Sequence, residues 1–243
     1  MNIERFDHED VLASTLATRL IEALSLKPRL VLGLPTGRTP VALYREIRSR
    51  SHRGHVDWSQ ARTFNLDEFV GLGGGDEGSY RSYMQAELFS HVRIEAMNIG
   101  MLDGRAANLA AECARYERAI DEAGGIDIQI LGIGANGHIG FNEPGDALEA
   151  ETHVAELCAE TREANAGLFG ADLGRVPTHA LSMGMATILH AREIVLMATG
   201  AEKADAVAGM IDGPITTRLP ASFLQLHTRV TVMLDRAAGS RLA

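Results

Sequence analysis

The chain has 243 residues, 46% of them hydrophobic, and a formal net charge of -9; that length and apolar content suit one sizeable core. No block of Lys or Arg interrupts the acidic balance, which argues against a nucleic-acid surface or an anionic membrane partner. Cys113 and Cys158 lie far apart without metal-ligand spacing, and the start Met1-Asn-Ile-Glu-Arg-Phe-Asp7 has no apolar signal core, so a reducing, cytosolic setting is expected.

Over 8–26, Val11, Leu12, Leu16, Leu20, Ile21 and Leu24 recur at helical spacing with Asp7 as candidate cap. A buried strand over 29–35 follows, and then Thr36-Gly-Arg-Thr-Pro40 opens a helix to about Arg50, with Thr39 as cap and Pro40 at the first helical position. Such a loop exposes N–H groups at the positive end of a helix dipole, where an anion such as phosphate is favoured; an ordinary strand-to-helix turn is the alternative. The next strand, 61–66, ends at the acidic pair Asp67-Glu68. If the sheet is parallel, Asp67 and the 36–40 loop share one edge, while Glu68 either has a role there or only solvates a loop. Residues 70–78 hold five glycines and read as a mobile loop able to gate a pocket. A helix over 79–92, a strand over 97–101 and a charged helix over 106–123 come next, the last with Glu112, Arg115, Glu117 and Arg118 on a solvated face.

The most informative stretch is Asp127 to Gly145. An apolar strand, Ile128 to Ile133, runs into a segment with Gly132, Gly134, Gly137 and Gly140 that carries Asn136, His138 and Glu143. An amide, an imidazole and a carboxylate in one tight loop at a strand's carboxyl end suit proton transfer. The glycines also fit a dinucleotide-binding spacing, but Phe141-Asn-Glu-Pro-Gly145 breaks any helix that pattern requires. Beyond it, a short helix over 161–169, an extended piece over 176–181, a helical turn over 185–190 and a buried strand over 193–198 are expected. Thr199-Gly-Ala-Glu-Lys203 opens a helix to about Ile211, and Lys203 in its first turn is unfavourable unless an anion lies nearby. A short helix over 219–227 and a strand over 229–234 close the chain. Strands and helices alternate without a linker, which predicts a single doubly wound α/β domain spanning 1–243 with a mainly parallel sheet.

Taken in order, Leu32-Gly-Leu-Pro-Thr-Gly-Arg-Thr-Pro40, Asn65-Leu-Asp-Glu-Phe-Val-Gly-Leu72, Leu131 to Gly145, Thr199 to Lys203 and Pro220-Ala-Ser-Phe-Leu-Gln-Leu-His227 resemble the glucosamine-6-phosphate deaminase family. Galactosamine-6-phosphate isomerases and, more distantly, 6-phosphogluconolactonases are its relatives. The resemblance runs nearly end to end. It implies a Rossmann-like fold and conversion of an amino-sugar 6-phosphate to a ketose 6-phosphate and ammonia, without cofactor or metal. It implies that Asp67 moves the C2 proton to C1, that His138 opens the ring, and that Asn136 and Glu143 support the histidine. Asn136 would hold the imidazole by hydrogen bonding and bring no negative charge. Thr36, Gly37, Arg38, Thr39 and Lys203 would bind the substrate, chiefly its phosphate.

Two departures stand out. Arg38 replaces the usual glycine or serine, and Gly167 falls where the family's deaminases supply a phosphate-binding arginine, so Arg38 is expected to replace that charge. Gly167 and the Pro220 segment also bring the chain nearer the galactosamine branch, which leaves the C4 configuration of the sugar open. The carboxyl terminus lacks the family's long allosteric tail, so a monomer or small homo-oligomer is expected. A lactonase and a non-catalytic sugar-phosphate sensor are the alternatives; the Asp67-Glu68 pair and the Asn-Glu-Pro-Gly turn speak against the first, and the presence of Asp67, His138 and Glu143 together against the second.

Overall fold

The structure is a computed structural model, which describes residues 1–54 and 56–242. Ten strands and seven α-helices alternate among them: β1 Asn2–Phe6, α1 Glu9–Leu26, β2 Val31–Leu34, α2 Val41–His52, β3 Arg62–Asn65, β4 Asp67–Phe69, α3 Tyr80–Glu87, β5 Ile99–Gly100, α4 Leu109–Glu122 and β6 Ile128–Leu131. There follow β7 His153–Glu156, α5 Ala159–Asn165, β8 His179–Ser182, α6 Met185–Leu189, β9 Glu193–Ala198, α7 Ala204–Asp212 and β10 Val230–Asp235. Seven strands form a parallel sheet in the order β1-β10-β9-β6-β2-β3-β5, and β4, β8 and β7 form a small antiparallel sheet.

That order sets where a site can form. From β2 the chain moves outward to β3 and β5, then returns to β6 and moves the other way to β9 and β10. The loops leaving β2 and β6 therefore part at the reversal and leave a crevice at the carboxyl ends.

Both faces of the large sheet are covered. One core collects Leu12, Leu16, Leu20 and Leu24 of α1 with Leu43, Tyr44 and Ile47 of α2; the four leucines recur every fourth residue, which puts them on one helical stripe. The opposite core takes Tyr116 and Ile120 of α4, Ile188 of α6 and Val207 and Met210 of α7. Each such side chain contributes on the order of 1.5–3 kcal/mol by leaving water. A third, aromatic cluster of Phe69, Tyr80, Phe141 and Phe169 sits under the small sheet, with the Tyr80 and Phe141 rings stacked.

Several local expectations are corrected. Asp7 does not cap α1: His8 is the N-cap without a side-chain bond, and Asp7 pairs with Arg236. Thr39 does not cap α2 either, because Pro40 occupies the N-cap position. The extended piece near 153–156 and the edge strand β1 were not foreseen; both are short, polar and largely unburied on one side. On α4 the solvated face is only partly so. Glu112 is buried and accepts from the Asp103 N–H and from Arg115, and Glu117 accepts from Thr152 and Thr187, which ties α4 to β7 and α6. The 70–78 loop is held by Asp76, which accepts from Gly73 and pairs with Arg105. Both cysteines are free, and among the described residues no helix is long and apolar enough to cross a membrane.

Candidate active site

Asp67 opens β4, separated from the carboxyl end of β3 by the single residue Leu66. Successive residues of a strand face opposite ways, and the acidic pair is split accordingly. Glu68 is fully buried and accepts from the Phe69, Tyr80 and Arg81 N–H groups at 2.9–3.0 Å and from the Ser79 hydroxyl at 2.9 Å. It anchors the start of α3. Asp67, 5% exposed, accepts from the Thr36 hydroxyl at 3.3 Å. Burial, with the Glu68 charge adding to it, raises the Asp67 carboxyl to about 7, and the Thr36 bond opposes the shift. A carboxyl poised near neutrality can accept and return a proton in the physiological range.

The loop after β6 meets Asp67 from the other side of the crevice. A Cβ on Gly140 would lie 3.9 Å from Asp67 Oδ2 and 3.0 Å from Ser182 Oγ, and its φ of 56° favours glycine there. Two other glycines shape this loop. Gly137 has φ 88° and sits against Leu219, and a Cβ on Gly134 would lie 2.4 Å from the His138 ring; the imidazole thus packs flat on the chain that precedes it.

The polar network of the loop differs from expectation in one respect. Asn136 makes no hydrogen bond to the imidazole. Its oxygen accepts from the His138 backbone N–H at 3.1 Å, and its amide donates to Glu143 Oε2 at 3.0 Å. The imidazole Nδ1 instead lies 3.4 Å from Thr161 Oγ1 and 3.5 Å from Glu143 Oε2. Burial works against the Glu143 charge, but bonds and charge from His138, with Thr161 and Asn136, outweigh it and hold the carboxyl down at about 2. Glu143 is therefore anionic throughout the working range.

The third element is the loop leaving β2. The Tyr44 and Tyr83 hydroxyls donate to the Pro35 and Gly37 carbonyls at 2.5 and 2.7 Å. Among the described residues, the N–H groups of Gly37, Arg38 and Thr39 have no acceptor within the protein, and they precede the positive end of α2. The exposed Arg38 reaches toward Gly167: a Cβ there would lie 3.6 Å from the guanidinium. Lys203, the N-cap of α7, is half-buried; burial lowers its ammonium below the ordinary lysine range, Glu202 opposes this, and the nearby Arg38 charge adds to it. Two cations and free N–H groups around one opening suit a multiply charged anion.

Asp67, the 136–143 loop and the 36–39 loop therefore converge, and Arg38 joins Lys203. Thr161, Tyr83 and Ser182 were not singled out from the sequence. No local pattern marks them, because each reaches the site through tertiary packing. Among the described residues no group of three or more His, Cys, Asp or Glu is placed to hold a metal ion.

Comparison with known proteins gives the family. The profile of the family described as glucosamine-6-phosphate isomerases/6-phosphogluconolactonase matches residues 5–233. The chain belongs to this family. It is 47% identical over 242 residues to a glucosamine-6-phosphate deaminase of Clostridium botulinum (strain Kyoto / Type A2), covering 100% of this chain and 99% of that one. A solved monomeric glucosamine-6-phosphate deaminase superposes with a TM-score of 0.96 at 40% identity, covering 99% of this chain and 100% of the other. A 6-phosphogluconolactonase from Trypanosoma cruzi shares the fold at 21% identity and a TM-score of 0.78, over 100% of this chain and 97% of its own.

Proposed function

We propose that the chain is a glucosamine-6-phosphate deaminase, which converts glucosamine 6-phosphate and water to fructose 6-phosphate and ammonia. His138 exchanges a proton with the sugar ring oxygen and O1 and opens the ring, supported by Glu143 and, through the loop backbone, by Asn136. Asp67 takes the C2 proton and delivers it to C1, giving an imine at C2 that water hydrolyses. Every step is a proton transfer, the addition of water to the imine, or the loss of ammonia from the carbinolamine that this addition forms, leaving the C2 ketone; none of them calls for a cofactor. Arg38, Lys203, Thr39 and the Gly37 and Arg38 N–H groups hold the phosphate; Thr36 orients Asp67 and joins the two halves of the site. We take the chain to work as one domain in the cytoplasm, as a monomer or small homo-oligomer, the solved relative being described as monomeric.

The observation that carries this reading is Asp67. A buried carboxyl raised to about 7 beside the His138 loop suits abstraction of a carbon-bound proton, a step that lactone hydrolysis does not contain. Named relatives at 47% identity favour the gluco sugar. The test is ammonia release measured side by side on glucosamine 6-phosphate, galactosamine 6-phosphate and 6-phosphogluconolactone. Release from the first at the highest kcat/KM is expected. Faster release from the second moves the assignment to the galacto epimer, and lactone hydrolysis without ammonia release overturns it.

A further inference from the structure

The loop between β2 and α2 is tethered from α3. Tyr83, half-buried on that helix, donates its hydroxyl proton to the Gly37 carbonyl at 2.7 Å, and among the described residues no backbone N–H reaches that carbonyl. The phenol ring stands edge-on to Tyr44 and Tyr80, at centroid distances of 6.4 and 6.5 Å. Its helix is fixed in turn, because Glu68 accepts from the Tyr80 and Arg81 N–H groups and from the Ser79 hydroxyl. Burial and the Glu87 charge, opposed by Arg48, hold the Tyr83 phenol above the ordinary tyrosine range, so it remains a donor at working pH.

Gly37 is where such a tether has an effect. A Cβ there would meet nothing within 4 Å, so glycine serves the φ of 92° and not a close approach. A residue without a Cβ moves between backbone conformations at small cost, and an outside contact then selects one of them. The Gly37–Arg38 peptide is trans, so its C=O and its N–H point in opposite directions. Holding the Gly37 oxygen toward α3 therefore turns the Arg38 N–H away from α3, and among the described residues that N–H has no acceptor. The guanidinium of the same residue reaches position 167, and its charge is felt at Lys203.

We propose that Tyr83 is a positioning residue for the substrate phosphate: by holding the Gly37 carbonyl, its hydroxyl fixes the Gly37–Arg38 peptide so that the Arg38 N–H is aimed at a phosphate oxygen. The proposal rests on the reading of the 36–39 loop as the phosphate site, and it extends that site to a helix outside the loop. Tyr83 touches no substrate in this scheme and acts only through one peptide group.

Tyr83→Phe removes the hydroxyl and keeps the ring against its two aromatic neighbours. KM for glucosamine 6-phosphate and the inhibition constant of inorganic phosphate are expected to rise together by about fivefold, the order of one lost hydrogen bond, while kcat stays within about twofold. Proton–nitrogen NMR of the Arg38 backbone amide, titrated with inorganic phosphate, supplies a readout independent of turnover. A downfield amide proton shift at saturation is expected in the wild-type protein, and a smaller one in Tyr83→Phe. A lower urea midpoint in Tyr83→Phe with both constants unchanged would make the tyrosine merely structural and overturn the proposal. So would a fall in kcat at constant KM, or an Arg38 amide that shifts equally in both proteins. A wild-type Arg38 amide that ignores saturating phosphate overturns it without any variant. If the wild-type protein releases no ammonia, yet its Arg38 amide answers phosphate and loses that response in Tyr83→Phe, the deaminase reading fails and the role of Tyr83 stands.

Discussion

The Arg38 guanidinium stands 3.6 Å from the point a Cβ of Gly167 would occupy, which puts its charge beside the position where a phosphate-binding arginine was expected and is missing. Arg38 also shares its electrostatic surroundings with Lys203. Arg38→Ala is expected to raise KM for the phosphorylated sugar and the inhibition constant of inorganic phosphate by roughly tenfold or more, as charge-assisted bonds of about 1.5–3 kcal/mol are lost. Arg38→Lys should recover only part, because an ammonium lacks the planar fork. Steady-state kinetics with phosphate as inhibitor checks this, and unchanged constants in Arg38→Ala would leave Lys203 and the loop to hold phosphate unaided.

Asp67 gives a prediction with opposite signs for activity and stability. With its carboxyl raised to about 7, the base is protonated at lower pH, so kcat/KM should rise with pH through about 7. Asp67→Asn should lower turnover by at least ~100-fold with binding nearly intact. For stability, the folded state binds the proton more tightly than the unfolded chain, so stability declines as pH rises from about 4 to about 7 and then levels off. Removing the ionisable group should therefore stabilise the protein at pH 8, on the order of 1–4 kcal/mol, and little at pH 4. Chemical denaturation at the two pH values measures the difference, and equal gains at both would contradict it.

His138→Gln should slow reaction from the closed ring far more than binding of an open-chain substrate analogue, since the task of the imidazole ends at ring opening. Comparing kcat for the cyclic substrate with the inhibition constant of the corresponding open-chain amino alditol 6-phosphate separates the two. Equal losses would remove the division of labour between His138 and Asp67.

Glu68 is predicted to matter for folding rather than chemistry. Glu68→Ala strands the Phe69 N–H in β4 and, at the start of α3, the Tyr80 and Arg81 N–H groups and the Ser79 hydroxyl, a loss on the order of 3 kcal/mol or more. Glu68→Gln, which keeps one acceptor oxygen, should lose less. Urea midpoints for the two variants decide this, and an alanine variant as stable as wild type would show that water replaces the carboxylate there.

Much of this was legible in the sequence because strong local signals coincided. The glycines around Asn136, His138 and Glu143 marked a loop at the end of an apolar strand, and the alternation of strands and helices implied the parallel sheet whose reversal between β2 and β6 makes the crevice. Asp67 was singled out by position, although the strand it opens, Asp67–Phe69, is too short and too acidic to show a period. Thr161 was hidden for a different reason: its partner His138 lies 23 residues away, and nothing in Ala159–Asn165 distinguishes it from any polar residue on a short helix. Glu112 and Glu117 were read as solvated because their helix is charged, yet their acceptors' partners come from Asp103, Thr152 and Thr187, contacts that only the folded chain creates. The same holds for Asn136, whose amide turns to Glu143 rather than to the ring beside it.

The most direct test is turnover of glucosamine 6-phosphate in heavy water, with ammonia and the ketose 6-phosphate quantified together and the ketose examined by NMR. One ammonia per fructose 6-phosphate is expected from the wild-type protein, with solvent deuterium at C1 introduced by exchange on Asp67, and neither product from Asp67→Asn above a hundredth of the wild-type rate. Absence of ketose and ammonia from the wild-type reaction, or undiminished formation of both by Asp67→Asn, would contradict enolisation by this carboxylate.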